Sequence, residues 1–98
     1  MRREEEILRE LREVIADRLA HPREGSYVSR LATGEKGIDG ILEKVGEEAV
    51  EFILAVKNGS RERIVSEAAD LQFHLLVALA ASGNSFDEVI AELRRRRR

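Results

Sequence analysis

Two short stretches carry carboxylates at a spacing that could do chemistry: "KVGEEAVE", residues 44–51, and "EAADLQFH", residues 67–74. On a helix, side chains three residues apart leave from the same face. Glu48 and Glu51 form one such pair, and Glu67 and Asp70 the other. Both sit among apolar neighbours, so a fold that brings the two faces together would gather four carboxylates in a small volume. Mutual repulsion opposes that gathering unless a counter-charge enters. Hard divalent cations, Mg²⁺ or Mn²⁺ in its place, take oxygen ligands, and two of them would balance four carboxylates. A lone E-x-x-E has no such meaning, because exposed helices are full of them. Two pairs on adjacent antiparallel helices, each flanked by core residues, are more discriminating.

The ordinary alternative is a set of surface glutamates paired with Lys44, Lys57, Arg61 or Arg63. It accounts well for Glu47 and Glu62. It accounts poorly for Asp70, a weak helix former placed in the middle of a helical segment. A di-iron bundle is disfavoured because its E-x-x-H pairs are missing. His74 follows Asp70 by one turn. It is expected to be buried and hydrogen-bonded to a carboxylate, supporting a metal ligand rather than binding metal itself.

The elements that must position these residues are helical. From Arg3 to Ala20 the apolar positions Ile7, Leu8, Leu11, Val14, Ile15 and Leu19 keep helical spacing, and Pro22 and Gly25 end the segment. Residues 25–37, "GSYVSRLATGEKG", contain three glycines and read as a loop with one helical turn at 27–32. A second helix is expected from Ile38 to Lys57, stopping at Asn58-Gly59. A third begins after the cap Ser60 and runs to Ala81, with Gly83 as its terminator. Ser85 caps a fourth, with Glu88 completing a capping box. The short connection at Asn58–Ser60 makes the second and third helices an antiparallel hairpin. Glu51 and Glu67 then lie about two turns from the connection, facing each other, with Glu48 and Asp70 one turn further on.

Burial demands more than one chain can supply. The second helix has an apolar stripe at Ile38, Ile41, Val45, Ala49, Phe52 and Val56, yet Val50 and Leu54 lie on nearly the opposite side. In "LQFHLLVALAA", residues 71–81, only Gln72 and His74 are polar. A chain of this length buries roughly 60–65% of its unfolded surface. The expectation is an all-α, four-helix bundle, one domain over residues 1–98, completed by pairing as a homodimer.

Composition supports this class: 43% hydrophobic and 37% charged residues with a single proline favour helices over sheet or disorder. The absence of cysteine excludes disulfides and zinc–thiolate sites. No uninterrupted apolar run reaches the ~18 residues of a membrane span, and "MRREEEILRE" does not read as a signal peptide. A soluble cytoplasmic protein without a membrane partner is expected. The net charge of −2 includes five arginines at 94–98, so the remainder carries −2 − 5 = −7. Such a run could hold nucleic acid, but it also suits a helix C-terminus, where cations are favoured, and no nucleic-acid partner is expected.

"KVGEEAVEFILAVKNG" followed by "RIVSEAADLQFHLLVAL" closely resembles the phosphoribosyl-ATP pyrophosphohydrolases of histidine biosynthesis, within the all-α, MazG-type nucleotide pyrophosphohydrolases. The resemblance covers most of residues 7–93 and leaves the arginine run outside. It implies that Glu48, Glu51, Glu67 and Asp70 hold Mg²⁺, and that the reaction is hydrolysis of phosphoribosyl-ATP to phosphoribosyl-AMP and pyrophosphate. "SYVSRL", residues 26–31, resembles a family loop that usually reads Ser-Tyr-Thr, from which Val28 departs. For this reaction Glu47 or Glu48 is the candidate to orient or deprotonate water. Lys44 is placed to reach a phosphate, and Arg30 and Lys36 to meet the others. No Walker-type phosphate loop is present. Two competing readings are a house-cleaning triphosphate pyrophosphohydrolase of the same superfamily and a non-enzymatic dimeric helical module. The long "KVGEEA…AADL…HLL" match argues against the first. The acidic hairpin, which would repel a phosphate backbone, argues against the second.

Overall fold

A computed structural model describes residues 3–97, with side chains from Glu6 onward. The described chain is all-α: α1 (Arg3–Ala20), α2 (Tyr27–Thr33), α3 (Ile38–Asn58), α4 (Arg61–Ala81) and α5 (Phe86–Arg96). The expected count of four helices is corrected to five, because the segment after Pro22 forms a two-turn helix rather than a single turn. Ser26 caps it by accepting a hydrogen bond from the Ser29 amide at 3.2 Å. Burial of Val28 and Ser29 then holds it in place. The Ser29 hydroxyl donates to the Arg18 carbonyl at 3.1 Å and accepts from the Arg23 amide at 3.0 Å, tying α2 to the end of α1. That tie is tertiary, so local periodicity could not announce it.

α3 and α4 form the expected antiparallel hairpin and share the most extensive contact in the chain. Gly59 ends α3 in the left-handed conformation (φ 77°), its amide donating to the carbonyls of Ala55 and Val56. Ser60 caps α4 through the Arg63 amide. Ala55 is buried beside this turn, its small side chain permitting close approach of the two helices. At the other end, Ser85 opens α5 with a capping box: its hydroxyl accepts from the Asp87 amide, and its amide donates to Glu88 Oε1.

The core gathers at one end of the hairpin. Ile15 of α1, Val28 of α2, Ile41 of α3 and Leu76 and Val77 of α4 are buried together, with Leu11, Leu31, Phe73 and Phe86 packed around them. The end of the hairpin nearer Gly59 is left bare. Val50, Ile53, Leu54 and Val56 of α3 and Val65 of α4 are each about half exposed or more. By length and composition α4 is apolar enough to cross a membrane, although Glu67, Asp70, Gln72 and His74 interrupt its apolar run.

Candidate metal centre

The hairpin brings Glu48 from α3 together with Glu67 and Asp70 from α4. One carboxylate oxygen from each lies within 4.8 Å of the other two. They line an open concavity of about 880 Å³, with Lys44, Gly46, Glu47, Val50 and Glu51 around it. A more enclosed hollow of about 450 Å³ lies between α1 and the α4–α5 corner, but its Asp87 is paired with Arg12 at 2.9 Å and it gathers no carboxylate cluster.

Two cations stand among these acids. Lys44 Nζ is 3.3 Å from Glu47 and 3.5 Å from Glu48. Its hydrogen bond to Glu47, against a small opposing cost of burial, raises its pKa above the ordinary lysine value and keeps it charged. The Arg63 guanidinium sits 3.3 Å from Glu67 and 3.7 Å from Glu51. Ion pairing of the ordinary kind therefore does occur at Lys44 and Arg63. It does not reach Asp70, which has no cationic partner among the described residues. Six carboxylates (Glu43, Glu47, Glu48, Glu51, Glu67, Asp70) against Lys44, Arg63 and the Lys36 that pairs with Glu43 leave −6 + 3 = −3 in and around the concavity.

The sequence expectation of four converging ligands is only partly realised. Glu51, half exposed, lies on Arg63 and outside the three-carboxylate group, although it borders the same concavity. Glu47 projects to solvent at the rim. Lys36 does not line the concavity itself but pairs at 2.9 Å with Glu43, which does, an interaction that raises the lysine's pKa and keeps it charged. Arg30 lies over the Tyr27 ring, its guanidinium carbon 5.6 Å from the centroid.

His74 is buried as expected, but its partner is different. Its Nδ1 lies 2.7 Å from the main-chain carbonyl of Asp70, not from a carboxylate. Placed one turn after Asp70 on the same helix, the imidazole reaches back along the axis to the carbonyl, while the Asp70 side chain turns outward. Its Nε2 meets the Tyr27 hydroxyl at 2.8 Å. Arg63 pairs with glutamates as the ordinary reading of the acidic strip expected, whereas Tyr27 is the neighbour that sequence reasoning left without a role. Arg63 was detectable from its i, i+4 relation to Glu67; Tyr27, 47 residues from His74, was not.

The donor set fits a hard divalent cation. All three groups are carboxylates, the oxygen donors that Mg²⁺ and Mn²⁺ prefer, and one oxygen of each lies within 4.8 Å of the other two.

The family profile described as Phosphoribosyl-ATP pyrophosphohydrolase matches residues 8–97, running into the arginine stretch at the C-terminus. Among relatives, a phosphoribosyl-ATP pyrophosphatase of Methanoculleus marisnigri is 63% identical over 92 residues, covering 94% of this chain and 95% of that protein. One from Methanosphaerula palustris is 60% identical over 92 residues, covering 94% and 93%. One from Methanocella arvoryzae is 50% identical over 93 residues, covering 95% and 98%. A match over nearly the whole length, together with carboxylates gathered on one hairpin, means that this chain belongs to the phosphoribosyl-ATP pyrophosphohydrolase family.

Proposed function

We propose that this protein hydrolyses phosphoribosyl-ATP to phosphoribosyl-AMP and pyrophosphate, the second step of histidine biosynthesis, at the concavity between α3 and α4. The observation that carries the site assignment is the gathering of Glu48, Glu67 and Asp70, with no cationic partner for Asp70 among the described residues. The substrate is supported by family membership along residues 8–97 and by the names of the relatives.

In this reading Glu48, Glu67 and Asp70 hold Mg²⁺, for which Mn²⁺ can substitute, and Glu51 joins them by leaving Arg63. Divalent ions held there would supply positive charge to the phosphates and to the charge that develops as the anhydride breaks. Glu47 takes a proton from the attacking water at a carboxylate oxygen, with Glu48 the alternative for that role. Oxygen of water bonds to phosphorus, the α–β anhydride bond breaks, and pyrophosphate leaves. Lys44 Nζ, protonated and on the rim, draws a phosphate oxygen. Arg30 and Lys36 meet the outer phosphates, Lys36 after release from Glu43. A homodimer covers the bare face of the hairpin, and the reaction runs in the cytoplasm on a diffusible nucleotide.

The test is to offer the purified protein phosphoribosyl-ATP, ATP and dUTP with Mg²⁺ and to measure pyrophosphate. Phosphoribosyl-ATP should be cleaved far faster than the others. Comparable rates on ordinary triphosphates would instead assign the chain to house-cleaning hydrolysis.

A further inference from the structure

Tyr27, at the start of α2, touches both the buried His74 of α4 and Arg30 on its own helix. A carbonyl oxygen only accepts hydrogen bonds, so the His74 nitrogen beside Asp70 O, Nδ1, must carry a proton. In the neutral imidazole Nε2 is then the acceptor, and the Tyr27 hydroxyl donates to it across 2.8 Å. Both nitrogens of this buried ring are satisfied, and the hydroxyl is committed to the protein interior. The Tyr27 ring packs on Phe73 and His74, with centroids 6.1 and 5.6 Å away. It is 37% exposed, and over it lies the Arg30 guanidinium. Arg30 has no carboxylate partner among the described residues, so the ring is what holds it. Through His74 the Tyr27 hydroxyl is joined to the main chain at Asp70, which places the start of α2 beside the acidic hairpin.

We propose that Tyr27 is a positioning residue for the reaction: its hydroxyl locks the ring onto His74, and the ring holds Arg30 ready for a phosphate of the substrate. An exposed arginine samples many rotamers, and ordering it on binding costs entropy. A cation–π contact orders it in advance. The inference rests on the hydrolase reading above and adds a residue to it.

The test is a double-mutant cycle on KM with phosphoribosyl-ATP and Mg²⁺, using Tyr27→Leu, Arg30→Gln and the double variant. Each single change should raise KM about ten-fold with kcat altered less than about three-fold, the pattern of lost binding common to ground and transition states. The double variant should be no worse than either single one, because both remove the same contact. Tyr27→Phe keeps the ring but unlocks it from His74, so KM should rise by less than in Tyr27→Leu, and the variant should melt at a lower temperature because His74 Nε2 loses its donor. A merely structural tyrosine would not make the two KM effects merge.

A second measurement needs no Tyr27 variant. Tyr27 is the single tyrosine and the chain has no tryptophan, so tyrosine emission reports on this ring alone. Titration with ribose 5-phosphate, which is transparent in the ultraviolet, should change that emission saturably in the parent and not in Arg30→Gln. Additive KM effects, a parental KM in Tyr27→Leu, or a flat emission signal in the parent would each overturn the proposal. A parent that releases no pyrophosphate from phosphoribosyl-ATP overturns the hydrolase reading and this inference with it. An active parent with additive variants overturns this inference alone.

Discussion

Asp70 occupies a position where an aspartate weakens the helix and finds no cation among the described residues, which fits a partner from outside the metal-free chain. Replacing it with Asn keeps the shape, removes a charge from a crowded group and offers a poorer ligand to a hard cation. Asp70→Asn, Glu48→Gln and Glu67→Gln are each expected to lower turnover at least 100-fold, about 2.7 kcal/mol in barrier height. In the absence of metal their melting temperatures should equal or exceed the parent's. Mg²⁺ should raise the melting temperature of the parent and barely move those of the three variants, since a ligand bound only to the folded state stabilises it. Glu51→Gln distinguishes three ligands from four, because Glu51 can serve only by exchanging Arg63 for the ion; loss of the Mg²⁺ response in this variant would show the exchange. Glu47→Gln separates binding from chemistry: a water-activating Glu47 predicts lost turnover with the thermal response to Mg²⁺ intact. If all five variants turned over like the parent, the α3–α4 concavity would not be the active site.

At the scale of the element, α3 contains a glycine where a helix gains nothing from one. Gly46 is in the helix interior on the lining of the concavity, and a Cβ built there meets no atom within 4 Å. Alanine should therefore stabilise the helix by about 0.5–1 kcal/mol. The expectation is that Gly46→Ala melts several degrees higher but hydrolyses phosphoribosyl-ATP at least ten-fold more slowly, because in the proposed reading substrate occupies the empty space. Parental activity in the stabilised variant would show that the space is not used.

α5 offers a second test. Its last turn carries Arg94, Arg95 and Arg96, and hydrogen bonds from Arg95 and Arg96 lower the pKa of Glu92. A depressed folded value means that Glu92 contributes stability above the ordinary glutamate range and loses it as pH falls through that lowered folded value. A chain ending at Arg94 lacks both partners. Its small stability deficit at pH 7 should disappear in acid, and its turnover should stay within ten-fold of the parent. A larger loss of turnover would mean that the arginines touch substrate.

For the whole molecule, the governing fact is the uneven core. Ile15, Val28, Ile41, Leu76 and Val77 close one end of the hairpin, while Val50, Ile53, Leu54, Val56 and Val65 remain open at the other. Exposed apolar surface of this extent on so small a chain marks an interface. A second copy is the simplest closed solution. Light scattering at micromolar concentration should give twice the chain mass of 11.1 kDa, and a monomer mass would refute the pairing.

Helical periodicity, capping residues and the i, i+3 acidic pairs were legible in the sequence because each depends on neighbours within a few positions. The hairpin turn at Gly59–Ser60 and the capping box at Ser85–Glu88 lie where local rules place them. α2 was under-read because its hold comes from Ser29 bonding to Arg18 and Arg23, contacts between elements that no local window contains. The same distinction runs through the site. Spacing alone put Glu48 and Glu51 on one face and Glu67 and Asp70 on another. Only the packing of α3 on α4 decided that three of these carboxylates meet while Glu51 turns to Arg63. His74 was recognisable as buried from its apolar surroundings, but the choice of the Asp70 carbonyl over a carboxylate, and of Tyr27 across 47 residues, belongs to tertiary geometry. Local sequence specifies which way a side chain leaves its helix. Its partner is set by the distance and angle between helices, which come from burying apolar faces along the whole chain.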